Sequence, residues 1–574
     1  MHTQSRQIRG RETFQDCQRV HTYDRLECII TNSDLTHLLT TDPIAMQNKP
    51  LMIRAFALLL LGFISAQSFA DTSPDQHLRE NLTEHVYTLA DDNMLGREAG
   101  GAGSQAAAKY IIKQLKSRNV KPAGDHHKFT QTFRGRYRNI LAVIPGSDPE
   151  LREDYIVIGA HYDHVGYGSR YNSRGPIGKI HNGADDNASG SAALLGLAQL
   201  FHQEKIDLKR SVLLAFWDAE EKGLLGSEYW VQKPTRSLGQ VALYINLDMV
   251  GRLRNQRIHV FGSRTHLQAR RILSLSNQSK LHFDFDWNIA QDSDHYSFFA
   301  KGIPFLMLTT DRHQDYHRPS DDADKLNYKG LTEITKLVSR YVMHHASRDP
   351  LPSFRKQCRS ESEYDHKKQI AAQADRPARL GIRWDNKLIK AGNIVISTVT
   401  PESPADIAGL KPGDRIDWFQ ESQTEFRHAL QNGKQFRWLI NRADSPIQLG
   451  ITRAFSQTAK SDNGNRERQK IVKTIELKDV PRKLGISWRA DSADPQCVII
   501  SRVVPDTPAD WANLEVADRI YRIGDNDFKD EDHFRLLLQQ QLKNSPAQLQ
   551  FLVERHGMIE VKAVSFKLNP PIPN

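Results

Sequence analysis

An α/β domain with a mostly parallel central sheet flanked by helices, followed by two small β-rich modules, is the architecture this sequence predicts. Three observations predict it. Between residues 78 and 346, short apolar runs of β type alternate with stretches of helical periodicity, as they do when strands are joined by helical crossovers. Residues 348–375 then lose that periodicity and gain charge, Ser, Gln and Pro, which suits a linker. Beyond the linker, one set of short motifs occurs twice at a single offset, the mark of a duplicated module.

In the first region the expected strands are 139–144, 155–160, Ser211–Trp217, Val241–Leu247, Arg257–Phe261 and 304–308. The expected helices are 104–118, 189–203 and 331–345. In the duplicated region, Arg379-Leu380-Gly381-Ile382 recurs as Lys483-Leu484-Gly485-Ile486 and Trp384 as Trp488. Pro401 to Ala405 recurs as Pro505 to Ala509, and Asp414-Arg415-Ile416 as Asp518-Arg519-Ile520. The modules are therefore placed at 376–480 and 481–574. Each should close with a helix and paired strands, and the polar stretch 456–467 in the first reads as a disordered hairpin tip.

At 574 residues several domains are needed, because single cores rarely grow past about 300 residues. With 39% hydrophobic and 25% charged residues, the composition is that of a soluble globular protein. The net charge of +10 is scattered among acids, without the basic stripe that a nucleic-acid groove needs, so no nucleic-acid partner is expected. The one long apolar run, 55–66, follows Lys49 and Arg54 and ends in Ser68-Phe69-Ala70. That is the form of a secretory signal peptide, placed at 52–70. It is too short to span a bilayer, so no transmembrane segment is expected after its removal. The expected location is periplasmic or secreted. Residues 1–51 read as a doubtful leader from a mis-assigned start, with translation beginning at Met46 or Met52. Of the four cysteines, Cys17 and Cys28 fall in that leader, and Cys358 and Cys497 are too far apart in sequence to suggest a framework.

The first region also carries the residues for chemistry. His161 follows the strand at 155–160, Glu220 and Glu221 follow Ser211–Trp217, and Asp248 follows Val241–Leu247. Asp185 sits in the loop Gly183-Ala184-Asp185-Asp186-Asn187-Ala188-Ser189-Gly190, which opens a helix, and His317 lies in Tyr316-His317-Arg318-Pro319. Each alone has an everyday reading as a loop, cap or surface residue. Together they recur at strand ends, where open parallel sheets place their crevice. Carboxylates mixed with imidazoles suit zinc, with manganese or cobalt next.

The stretches Gly159-Ala160-His161-Tyr162-Asp163-His164, 182–190, Trp217-Asp218-Ala219-Glu220-Glu221-Lys222-Gly223-Leu224, Asn246-Leu247-Asp248-Met249 and Tyr316-His317-Arg318-Pro319-Ser320-Asp321 closely resemble the bacterial leucyl aminopeptidase and aminopeptidase S/Y family of co-catalytic zinc peptidases. The resemblance covers 76–347 and includes Leu95-Gly96-Arg97; the catalytic domain is placed at 71–347. It implies the zinc exopeptidase fold and two zinc ions per chain. Asp185 would bridge them, Glu221 and His317 would complete one site, and His161 and Asp248 the other. Glu220 would be the general base and Asp163 would accept a hydrogen bond from His161, fixing its tautomer. A cis peptide between Asp185 and Asp186 is implied as well. Substrates would be peptides with a free N-terminus. Two rivals stay open: a single-zinc glutaminyl cyclase on the same fold, and an inactive peptidase-like binding protein.

Leu380-Gly381-Ile382, Val399 to Ala405 and Ala408-Gly409-Leu410-Lys411-Pro412-Gly413-Asp414 resemble PDZ domains of bacterial envelope proteases. This implies C-terminal peptide ligands for the two modules, with packing against the catalytic domain as the equal alternative. In the second copy Asn513 and Ala517 replace Gly409 and Gly413, so peptide capture is expected to be less secure there.

Overall fold

The computed structural model describes residues 74–203, 206–348, 351–371, 378–384, 394–454, 468–478, 481, 483–544 and 546–566. The leader, the signal peptide, Cys17, Cys28 and the polar stretch 456–467 lie outside the described residues. No described helix is long and apolar enough to cross a membrane.

The first sheet has nine strands: β1 (Lys121–Pro122), β2 (Thr130–Phe133), β3 (Tyr137–Ile144), β4 (Tyr155–His161), β5 (Ser211–Trp217), β6 (Val241–Leu247), β7 (Arg257–Phe261), β8 (His282–Asp286) and β9 (Phe305–Thr309). Their order is β1-β3-β5-β4-β6-β9-β7-β8, with β2 beside β3. The centre, β5-β4-β6-β9, is parallel, whereas β3 and β7 join it antiparallel. Every residue of β4, β5 and β6 is buried, which is why these strands read as continuous apolar runs rather than alternating ones. Helices Pro74–Leu89, Gly190–Gln203 and Tyr328–Ser347 cover one face through Leu82, Leu194 and Ile334. The other face holds Trp217, Trp230, Tyr244 and Phe298 under helices Leu225–Gln232 and His295–Ala300. The helix at Pro74–Leu89 and the strand β8 are additions to the sequence reading. The first is weakly amphipathic, and the second is a short strand of alternating Asp and Phe that pairs only at the sheet's margin.

The stretch read as a linker is partly structured. Cys358 is buried in a short turn of helix Lys356–Arg359 and packs with Phe354 into the core beneath the sheet, and a helix follows at Glu363–Ala371.

Two six-stranded antiparallel sheets follow. The first comprises β10 (Ile382–Trp384), β11 (Ile394–Val399), β12 (Arg415–Glu421), β13 (His428–Ala429), β14 (Ile447–Ala454) and β15 (Arg468–Ile475). The second comprises β16 (Ile486–Asp491), β17 (Asp494–Val503), β18 (Arg519–Ile523), β19 (Asn526–Asp527), β20 (Gln548–Arg555) and β21 (Met558–Ser565). Their orders match strand for strand, β10-β11-β12-β14-β15 against β16-β17-β18-β20-β21. The repeated Trp stands edge-on to a helical Phe in both, Trp384 on Phe436 and Trp488 on Phe534. At the two turns where the copies differ, Asn513 (φ 54°) and Ala517 (φ 77°) adopt the left-handed conformation of Gly409 (φ 72°) and Gly413 (φ 90°). The second module thus keeps its fold and carries local strain at Ala517.

The second module is docked on the β7–β8 margin of the first sheet. Phe283 N donates to His556 O at 2.8 Å in the β20–β21 turn. Gly557 there (φ 80°) lies so close that a Cβ would strike the Phe283 ring. Arg270 makes a two-pronged pair with Glu554 at 2.8 and 3.1 Å, and Arg264 reaches Asp491 at 2.8 Å and Glu361 at 2.7 Å.

Candidate metal centre

Parallel pairing in register sets the site. His161 at the end of β4 lies level with Trp217 at the end of β5, so the turn after β5 delivers Glu220 and Glu221 beside the imidazole. Asp248 follows β6 on the same edge. The turn before helix Gly190–Gln203 brings Asp186, and the loop after β9 brings His317.

Asp186 stands at the centre. Its Oδ1 is 3.3 Å from His161 Nε2 and its Oδ2 is 3.0 Å from His317 Nε2. His161 Nε2 is also 3.5 Å from Asp248 Oδ1, and His317 Nε2 is 3.2 Å from Glu221 Oε1. One carboxylate therefore faces two imidazole–carboxylate sets, one per oxygen. His164 joins the second set, with Nδ1 2.9 Å from Glu221 Oε1, and Glu220 stands with His161 and Asp248 in the first.

The bridging assignment to Asp185 needs correction by one residue. Asp185 points away from the pair: its Oδ1 accepts from Gly251 N at 2.6 Å, and its Oδ2 lies 3.3 Å from His313 Nε2. The backbone N–H groups of Asp185 and Asp186 both donate to Asp321 Oδ2 at 2.9 and 3.1 Å. This anchors the turn and sends the two neighbouring carboxylates in different directions. The cis peptide likewise falls at Asp186–Asn187, not Asp185–Asp186. The role given to Asp163 changes too. Its backbone oxygen, 3.1 Å away, is the group beside His161 Nδ1, while its carboxylate is 3.8 Å from that atom and accepts from Glu220 N at 3.0 Å. Asp163 thus holds the turn that carries Glu220.

Four residues of the site were not singled out from sequence. His164 and Asp186 stood inside quoted motifs but beside the residues chosen. Ser293 donates to Asp248 Oδ2 at 2.6 Å and so fixes it. The fully buried Arg97 donates to the carbonyls of Tyr162, Leu89, Asn182 and Gly183, tying the His161 and Asp186 loops together. Arg97 stood in the quoted Leu95-Gly96-Arg97 stretch, with nothing in its residue type to mark this role.

The electrostatics call for a cation. Among the described residues, no Lys or Arg forms an ion pair with Asp186, Glu220, Glu221 or Asp248, although these carboxylates converge at one buried place. Burial lifts the Glu220 carboxyl well above the usual range, and neighbouring Glu221 and Asp294 add to it. Burial also acts against the charged forms of His317 and Asp186, yet the contacts of His317 with Asp186 and Glu221, and of Asp186 with His161 and His317, outweigh it. His317 is driven up to about 11 and Asp186 is held well below the carboxylate range. Two sets of imidazole nitrogen and carboxylate oxygen donors fit zinc. The cleft above them is about 260 Å³, walled by Met249, Phe261, Met307, Thr309 and Tyr316.

This arrangement, a carboxylate shared between two histidine–carboxylate sets at the C-terminal edge of a parallel sheet, defines a metallohydrolase class of site. The model of peptidase family M28 matches residues 139–342, and that of the PDZ domain matches residues 474–554. Leupeptin-inactivating enzyme 1 of Streptomyces exfoliatus is 31% identical over 191 residues, covering 33% of this chain and 39% of that enzyme. The uncharacterized protein YfbL of Escherichia coli (strain K12) is 32% identical over 286 residues, 44% of this chain and 82% of that one. A probable leucine aminopeptidase of Arthroderma otae is 27% identical over 281 residues, 46% and 72% of the two chains. The chain belongs to peptidase family M28, and its second C-terminal module is a PDZ domain.

Proposed function

We propose that this protein is a zinc-dependent aminopeptidase that removes N-terminal residues from peptides and holds two zinc ions about Asp186. The observation that carries the reading is the one shared carboxylate with an imidazole at each oxygen. His161 and Asp248 would hold one ion, and Glu221 and His317 the other, with His164 beside Glu221. When bound, such ions supply Lewis acidity and bring the pKa of water from 15.7 towards about 7. Glu220, set in place through its backbone by Asp163 and free of any Lys or Arg partner among the described residues, takes a proton from the attacking water and returns it to the leaving amine. Met249, Phe261 and Met307 give the cleft an apolar wall, which supports an apolar N-terminal side chain. The first C-terminal module repeats the strand order of the PDZ domain, so the chain carries a PDZ pair, and the apolar run at 55–66 supports an exported enzyme.

The test is metal content and activity on one sample. About two zincs per chain with release of leucine from leucine amide is the expected result. One zinc with cyclisation of an N-terminal glutamine would replace the reading by a cyclase, and metal without either turnover by an inactive binding protein.

A further inference from the structure

We propose that the junction between the first sheet and the second module holds a further divalent metal ion, zinc by its donors, between His282, Asp284 and His556. One donor atom of each lies within 4.8 Å of the other two, and none of the three belongs to the centre about Asp186. β8 sets two of them. His282 and Asp284 are alternate residues of a strand and so face the same way, while Phe283 between them is buried in the core. The third arrives from the second module. His556 stands in the two-residue turn that joins β20 to β21, and that turn is fixed on β8: Phe283 N donates to His556 O at 2.8 Å, and Asn277 Nδ2 donates to Gly557 O at 2.9 Å.

The spacing suits one ion. Donors held about 2.0–2.2 Å from a tetrahedral zinc stand about 3.3–3.6 Å apart, and His282 Nδ1 lies 3.7 Å from Asp284 Oδ1. That Nδ1 is buried without a hydrogen-bond partner, a cost that coordination removes. The rings of His282 and His556 are stacked with their centres 4.3 Å apart. His556 is exposed, so its ring turns on its side-chain bonds to aim a nitrogen at the ion. Two imidazoles and one carboxylate leave a fourth position to water.

The charges around these donors leave room for the ion. Arg257 donates to both oxygens of Asp284, Nη2 to Oδ1 at 2.6 Å and Nε to Oδ2 at 2.9 Å. A carboxylate offers about four lone-pair positions, so each oxygen keeps one, and a ligating carboxylate is ordinarily held by such an outer partner. His259 Nε2 flanks Oδ2 at 3.9 Å. Asp284, His259 and His556 line a cleft of about 520 Å³, which gives the ion its path from solvent. On the same cleft Arg270, Lys367 and Arg519 are paired with Glu554, Glu363 and Asp491. Bound there, the ion joins β8 to the second module and makes the strength of that junction depend on metal supply.

The experiment dialyses the full chain against buffered free zinc and counts zinc per chain. Wild type should hold about one zinc more than His556→Asn. Asn accepts the φ of 50° at this exposed turn position, so that variant keeps its fold. Asp284→Asn should weaken the same ion about tenfold or more. His202→Ala, which removes an exposed histidine on helix Gly190–Gln203, should change nothing. All these chains keep the centre about Asp186, so the difference reads the junction ion alone, and the zincs proposed at Asp186 are counted on His556→Asn. Hydrogen exchange at the Phe283 N–H is the second readout. Zinc at about ten times its dissociation constant should slow that exchange about tenfold in wild type and leave it unaltered in His556→Asn. Equal zinc counts in wild type and His556→Asn, an equal loss in His202→Ala, or a bound zinc that leaves the Phe283 exchange unaltered would each overturn the proposal.

Discussion

Asp185 and Asp186 are chemically identical neighbours, and their surroundings alone separate them. Asp186→Asn should abolish stable binding of both ions and cut kcat/KM by a factor on the order of 10³ or more, since each of its oxygens serves one set. Asp185→Ala should keep the metals and instead lower stability by about 1–3 kcal/mol, because Gly251 N–H is left buried without its acceptor. Zinc analysis and thermal melting on the two variants check this, and metal loss confined to Asp185→Ala would reverse the assignment. For Glu220→Gln, the expectation is a loss of about 10²–10⁴ in kcat with zinc content unchanged. His164→Ala should weaken metal binding by about 10–100-fold, as removal of a group that orients a ligand does; an unchanged zinc affinity would make His164 a packing residue.

At the scale of elements, the loops after β4 and before helix Gly190–Gln203 are unrelated in sequence, and Arg97 is what binds them. Its guanidinium serves four carbonyls in a place without solvent. Arg97→Met would leave those acceptors unmet, so a loss of at least about 3 kcal/mol and a drop in zinc affinity should appear together. Melting temperature and metal titration on that variant are the measurements. A stable variant with normal zinc binding would show that the loops hold their places unaided.

For the molecule as a whole, the segment between catalytic domain and modules acts as a clamp. Arg355 and Arg264 both grip Glu361, and Arg264 also grips Asp491 of the second module, which Arg519 holds from the other side at 2.6 Å. Burial opposes the charge on these acids, but the arginines prevail: Glu361 is held down to about 2 and Asp491 well below the carboxylate range. A depressed folded pKa means stability that is present above the unfolded value, 4.5 for Glu361, and that is lost as pH falls towards 2. Wild type should therefore melt above Glu361→Gln at pH 6, and the difference should shrink below about pH 4.5. A difference that is constant with pH would remove the clamp from the account. Truncation also depends on the clamp. Ending the chain after Ser347 removes Phe354 and Cys358 from the core beneath the sheet and should destabilise the catalytic domain. Ending it after Ala371 keeps them, and hydrolysis of small amides should survive.

Much of this was legible in sequence for a physical reason. Fully buried parallel strands appear as unbroken apolar runs, so Ser211–Trp217 and Val241–Leu247 could be bounded to the residue, while the half-buried Arg257–Phe261 showed instead the alternation of a strand at the sheet's margin. A crevice site at their ends then places His161, Glu220, Glu221 and Asp248 almost by position. The duplicated modules declared themselves by a shared offset. The short β8, whose edge is covered by another module, carried no such signal, and neither did the helix within the linker stretch. The sequence by itself determined the fold class and pointed to the strand ends where these side chains gather, but it passed over Asp186 and His164. Tertiary structure alone decided which of two adjacent carboxylates faces the imidazoles, which oxygen of Asp163 lies beside His161, and where the second module meets the first. Those choices depend on side-chain direction and on contacts between residues far apart in the chain, such as Asp321 with Asp186 and Arg437 with Asp506, and no local pattern of residue types encodes them.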